Sequence, residues 1–154
     1  MMKKILSTLT LCSCIIAGTA GSLASANNES AVNIVETVNT IWNNTFNSGD
    51  SDALSRLYTE NAILSPGNGE SLVGQEQIGN LFKSFIENGV HNHSIKIIEA
   101  YRDHNQITQF ARWQAEGVND KQEPIIFGGV LMTVIEKSSD GVWLTRSHIW
   151  NMSN

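Results

Sequence analysis

The chain has 154 residues, with 15 acidic side chains against 10 basic ones and a net charge of −5 with histidine neutral. An acidic chain without a basic cluster argues against nucleic acid and anionic membrane surfaces as partners. Its two cysteines, Cys12 and Cys14, both fall near the N-terminus, which leaves the rest of the chain without disulfide, thiol nucleophile or cysteine metal site.

Lys3 and Lys4 precede an uncharged apolar run through Ile15-Ile16-Ala17, and Ala24-Ser25-Ala26 precedes the polar Asn27-Asn28-Glu29. This is the pattern of a secretory signal peptide cleaved after Ala26. The run is too short and too rich in Ser and Thr for a bilayer span, which needs ~20 apolar residues. The expectation is a protein exported to the periplasm or secreted, with no membrane attachment after signal cleavage. Lipidation at Cys14, after Leu11-Cys12-Ser13, is a looser second reading. Removing residues 1–26 takes Lys3 and Lys4 with it, so the charge of residues 27–154 becomes −7. That length supports one domain with a core of its own.

The mature part starts with apolar residues at Val32, Val35, Val38, Ile41, Trp42 and Phe46, a spacing that predicts an amphipathic helix capped by Ser30. Gly49 suits the left-handed position that ends it. Asp50 or Ser51 can cap a short second helix carrying Ala53, Leu54, Leu57 and Tyr58. Ala62-Ile63-Leu64 reads as a short strand closed by the turn cluster Ser65-Pro66-Gly67-Asn68-Gly69. A third helix begins at about Gln75, with Ile78, Leu81, Phe82, Phe85 and Ile86 on one face, and Gly89 stops it.

Period-two alternation then takes over. It predicts strands over 93–101, 106–116, 124–136 and 142–151. The turn Ser138-Ser139-Asp140-Gly141 contains Asp-Gly, a strong hairpin signal. Three helices followed by an antiparallel meander define an α+β domain with helices on one sheet face.

The ordered features Trp42…Phe46-Asn47-Ser48-Gly49-Asp50, Leu54…Leu57-Tyr58, Ser65-Pro66, Val73-Gly74, Arg112-Trp113…Glu116-Gly117 and Trp143…His148-Ile149-Trp150-Asn151 resemble the nuclear transport factor 2-like superfamily. Within it the chain looks most like the SnoaL-like group and related small domains of unknown function. The resemblance covers roughly the whole mature chain. It implies a cone-shaped, curved antiparallel sheet packed on three N-terminal helices, a cavity between them, and a homodimer formed through the sheet. The ketosteroid isomerase branch carries a general-base Asp before the Pro that follows the first strand. Here that place holds Ser65, and Trp42 stands where that branch has a helix-one Tyr. Both departures count against isomerase chemistry, because proton abstraction needs a tunable base.

Among the histidines, His148 is the catalytic candidate, because it lies in the last, central strand and imidazole titrates near neutrality. Its strand mixes polar and apolar residues on both faces: Leu144, Arg146 and Trp150 share one with it, and Trp143, Thr145, Ser147, Ile149 and Asn151 share the other. Alternation therefore leaves open which face lines the cavity. His91 and His93, two apart, would share a face, but no third metal ligand is evident and none is assigned. His104 falls in a turn. Ile107, Gln109, Ala111, Trp113 and Ala115 form the more apolar face of their strand, which points Trp113 inward. Trp42, Phe46, Tyr58 and Asn151 complete the candidate ligand-binding set. Gly128-Gly129 reads as a bend that helps the sheet curl, and Arg112 and Glu116 as a solvated pair.

The expected function is an exported domain whose cavity holds a small, partly apolar molecule, without cofactor. One alternative is a SnoaL-like cyclase or dehydratase using His148 as acid–base group with Tyr58 or a Trp N–H as donor. Another is a dimeric interaction module whose cavity is filled by side chains.

Overall fold

The computed structural model describes residues 20–119 and 121–153, with side chains from Ala31 onward. The signal-peptide reading over residues 1–19, with Cys12 and Cys14, lies outside them. Helix α1 spans Ala20–Asn47, followed by α2 (Ser51–Ser55), β1 (Tyr58–Ser65), β2 (Leu72–Val73), α3 (Gly74–Glu87), β3 (His91–Asp103), β4 (Gln106–Val118), β5 (Pro124–Lys137) and β6 (Trp143–Trp150). The strands form one curved, unclosed sheet in the order β2-β1-β6-β5-β4-β3. Helix α1 packs across β3, and α3 packs on α2 and β1. This is the expected α+β class. No helix among the described residues is long and apolar enough to cross a membrane.

Three local expectations give way. Ser30 lies within α1 and does not cap it: the residues before it contain no proline and include the helix formers Ala24, Ala26 and Glu29. Helix α2 stops at Ser55, so Tyr58 is the first residue of β1 and not a helical residue; it is paired with Thr145. The sheet is not wholly antiparallel, because β1 lies parallel to β6. Gly128 and Gly129 lie in an unbroken register of β5 against β4, from Gln106↔Glu136 to Val118↔Pro124. A Cβ on Gly129 would stand 2.0 Å from the Asn151 carbonyl oxygen. Close passage of the C-terminal segment is what requires glycine there.

Other punctuation holds. Gly49 ends α1 at φ +80°, and Asp50 accepts a 2.7 Å hydrogen bond from the Ala53 amide as the cap of α2.

The interior has two clusters. At one end Ala31, Val35, Ala100, Ile107 and Ile135 pack together; at the other, Trp42, Phe46, Leu54, Tyr58, Ala62, Leu64, Ile78 and Phe82 do. Between Val35 and Trp42 on α1 sits the buried Asn39. Its amide exchanges two hydrogen bonds with Gln109, 2.9 and 3.0 Å, and Gln109 also donates to Thr133 Oγ1 at 2.9 Å. Burying two amides is tolerable because their polar atoms find partners in one another.

Candidate functional site

The aromatic end of the interior is not filled. A cavity of about 190 Å³ is lined by Trp42 and Phe46 from α1, Phe82 and Phe85 from α3, and Val90 and His93. The sheet contributes Trp113, Ala115, Phe127, Leu131, His148 and Trp150, and Met152 follows it. Met152 is half exposed, so this wall reaches the surface.

His148 reaches the cavity because β6 carries an extra residue. Val134 pairs with Ser147 and Ile135 with Thr145, which leaves Arg146 unmatched. Inward parity therefore switches: Thr145 is buried before the bulge and His148 after it. Arg146 is turned away, donating to the Asn61 carbonyl at 2.8 Å. An extra residue also interrupts β3 between His91 and Ser94, where Asn92 takes φ +51°. Consequently His91 and His93 do not act as a pair. His91 lies exposed, 3.6 Å from Glu116, whereas His93 lines the cavity. Glu116 thus faces His91 and not Arg112.

Helix α1 holds His93 with two asparagines one turn apart. The Asn47 amide accepts from the His93 backbone N–H at 2.7 Å and donates to its carbonyl at 2.9 Å. Asn43 Oδ1 lies 2.8 Å from His93 Nδ1. The imidazole packs 4.5 Å from the Trp42 ring centroid and stacks on Trp113 at 6.1 Å.

Three side chains form a directed chain. Trp42 Nε1–H, which can only donate, reaches the Tyr58 hydroxyl oxygen at 3.1 Å. That hydroxyl lies 2.9 Å from His148 Nδ1. A proton on Nδ1 would leave both the Tyr58 hydroxyl hydrogen and the Nε2 lone pair unsatisfied. A proton on Nε2 lets Tyr58 donate to Nδ1 and leaves one group over. Each unmade buried hydrogen bond costs ~1–3 kcal/mol, so His148 is held as the Nε2–H tautomer. Its Nε2 is buried and has no partner among the described residues. Burial, and then repulsion from His93, pushes the His148 imidazolium down to about 3. Burial alone takes His93 down to about 4. Burial also raises the Tyr58 phenol, partly offset by the Trp42 hydrogen bond. All three groups are neutral at neutral pH.

Of the residues singled out in the sequence, Trp42, Phe46, Trp113 and His148 line the cavity. Tyr58 lies behind His148 as its hydrogen-bond partner. Asn151 does not line it either: its carbonyl accepts from Trp113 Nε1 at 3.1 Å and its Oδ1 from the Val130 amide at 3.0 Å. The Trp42 and Trp113 N–H groups are therefore spent within the protein. Ser65 donates to the Glu70 carbonyl in its turn. His93, Phe82, Phe85, Phe127, Leu131 and Trp150 join the site without having been singled out for it.

The nuclear transport factor 2 (NTF2) domain model matches residues 37–123, more than half of the chain. No curated protein matches it. Among solved structures, a ketosteroid isomerase-like protein from Erwinia carotovora atroseptica superposes with a TM-score of 0.69 at 19% identity, covering 82% of this chain and 98% of its own. An NTF2-like protein with a cystatin-like fold from Novosphingobium aromaticivorans gives 0.64 at 12%, covering 88% of each chain. A protein from Catenulispora acidiphila, solved in complex with S-DNPA, gives 0.66 at 12%, covering 80% of this chain and 94% of its own. At these identities the likeness is one of fold.

Proposed function

The chain belongs to the nuclear transport factor 2 domain family, and from that premise we propose that it is a small-molecule binding protein whose aromatic cavity holds an uncharged, partly apolar ligand. The observation that carries this reading is His148 Nε2–H: a buried donor without a partner, fixed by Tyr58 and Trp42, on a wall otherwise made of rings and aliphatic groups. A binding site of this kind uses apolar surface for affinity and a few placed polar groups for orientation. An apolar cavity of ~150 Å³ admits benzene, so about 190 Å³ suits a one-ring molecule with a short substituent. The solved complex of the Catenulispora acidiphila protein with S-DNPA is in keeping with a fold that accommodates small ligands.

Binding is favoured over acid–base catalysis by the same geometry. A general base works best with a pKa near the operating pH, and burial takes His148 far below it. The lone pair of its Nδ1 is also already engaged by Tyr58. An unfilled cavity weighs against the interaction module with a packed interior.

The reading includes export with cleavage after Ala26, and a homodimer through the outer sheet face. Phe110, Met132 and Ile149 are direct neighbours across β4, β5 and β6 on that face, and Phe110 and Ile149 are both exposed. A second copy would cover this row.

Titration calorimetry with acetophenone tests the binding proposal. The wild type should bind it. Ala115→Leu, which fills the cavity from β4, should abolish binding while leaving the fold intact by circular dichroism. Undiminished binding by Ala115→Leu would place the ligand elsewhere, and no wild-type binding at millimolar concentration would overturn the reading.

A further inference from the structure

Resting on that binding reading, we infer that His148 and His93 form a donor–acceptor pair that selects neutral ligands carrying an acceptor and a donor side by side, the primary carboxamide being the simplest such group. His148 supplies the donor, as its Nδ1 accepts from Tyr58 and its Nε2–H is left over. His93 has the opposite arrangement. The Asn43 oxygen beside its Nδ1 can only accept, so Nδ1 carries the proton. A neutral ring then has a bare lone pair on Nε2, and no other side-chain hydrogen bond engages this imidazole among the described residues.

Both rings line the same cavity and rest against the Trp42 indole, at centroid distances of 4.5 and 6.3 Å. Since both line one cavity of about 190 Å³, the inference places a single small ligand against both rings. The two histidines are chemically alike and differ only in which nitrogen a neighbour has claimed. Asn43 and Tyr58 are thus the residues that set the specificity, although neither lines the cavity.

The pairing has a repulsive side. A carboxylate presents only acceptors, so one oxygen would meet the His93 lone pair, and burying an anion among rings is costly without a countercharge. A ketone satisfies His148 alone and leaves His93 unmet. A hydrocarbon satisfies neither. Discrimination of this type rests chiefly on His148 Nε2–H, the buried donor that a ligand without an acceptor leaves unpaired.

The experiment is a calorimetric titration of the purified protein at pH 7 with benzamide, acetophenone, ethylbenzene and benzoate, four one-ring probes of similar size. The expected order is benzamide, then acetophenone, then ethylbenzene, with roughly tenfold between the first two and again between the next. Benzoate should fail to bind. Nitrogen-15 spectra of the histidine rings, recorded without ligand, should show His148 protonated at Nε2 and His93 at Nδ1. Benzoate binding best, or acetophenone matching benzamide, would overturn the inference while leaving the cavity a binding site. The same nitrogen protonated in both rings would overturn it too. Binding of none of the four would bring down the binding reading itself, and the inferred selectivity with it.

Discussion

The two ends of the interior share α1 and the sheet and are packed in opposite ways. At the far end small aliphatic residues from α1 and the sheet close on one another: Ala31 and Val35 against Ala100, Ile107 and Ile135, all essentially inaccessible. At the near end the same helix and sheet, joined by α3, bring large rings together, and the rings leave a cavity. Flat, rigid side chains meet at edges and tilted faces, as Trp42 does against Phe82 at 81°, and cannot collapse as methyl-bearing chains do. The Asn39–Gln109–Thr133 belt lies between the two. The filled end contributes close packing, and the proposed binding site belongs to the unfilled one.

Acid should separate the ends most sharply. His93 and His148 have depressed folded-state values, about 4 and about 3, and ordinary ones when unfolded. The unfolded chain therefore takes up protons first as pH falls below about 6.5, and stability drops between there and the folded values. With both groups contributing, the slope approaches about 1.4 kcal/mol per pH unit for each. Urea denaturation at pH 7, 6 and 5 would show it, and a flat profile would mean that the cavity end does not hold its imidazoles dry.

Next in size is Ile135→Ala, which opens a void in the filled end. It should cost about 3 kcal/mol in urea denaturation and leave acetophenone affinity unchanged. If affinity fell in step with stability, the ends would not be independent. Tyr58→Phe should cost about 2 kcal/mol, by stranding the Trp42 N–H and His148 Nδ1 together, and should release the His148 tautomer in nitrogen-15 spectra. The smallest effect is expected from Ala115→Leu: little or no loss of stability, because the added carbons enter empty space. Its counterpart Ala100→Leu, in the filled end, should lose about 2 kcal/mol by overpacking. Equal losses in that pair would erase the distinction between the ends.

Where a strand stays regular, its inward face could be read from sequence. β4 keeps strict alternation, so Ile107, Gln109, Ala111 and Trp113 were legible as one face, even with a polar Gln among them. The face of α3 was legible for the same reason, since Ile78 and Phe82 repeat at helical spacing. β6 was not legible, because the unmatched Arg146 moves the inward set from Thr145 to His148 and mixes both apparent faces. His93 was missed for a related reason: the irregularity at Asn92 breaks its parity with His91, and a lone Asn in a polar stretch is a weak signal of positive φ. Tyr58 continued the spacing of Leu54 and Leu57, and only its pairing with β6 draws it into the sheet. Asn39 stood at a polar position of an apolar stripe, and its partner lies 70 residues away. The tautomers, on which the proposed specificity depends, follow from hydrogen bonds between distant residues and are invisible to any local pattern.

The most direct test of the cavity as ligand site is a crystal structure of the protein soaked in acetophenone. The account predicts the phenyl ring among Trp42, Phe82, Trp113 and Trp150, with the ketone oxygen at ~2.9 Å from His148 Nε2. A cavity closed by repacked rings, or acetophenone bound elsewhere with His148 still unpartnered, would contradict it.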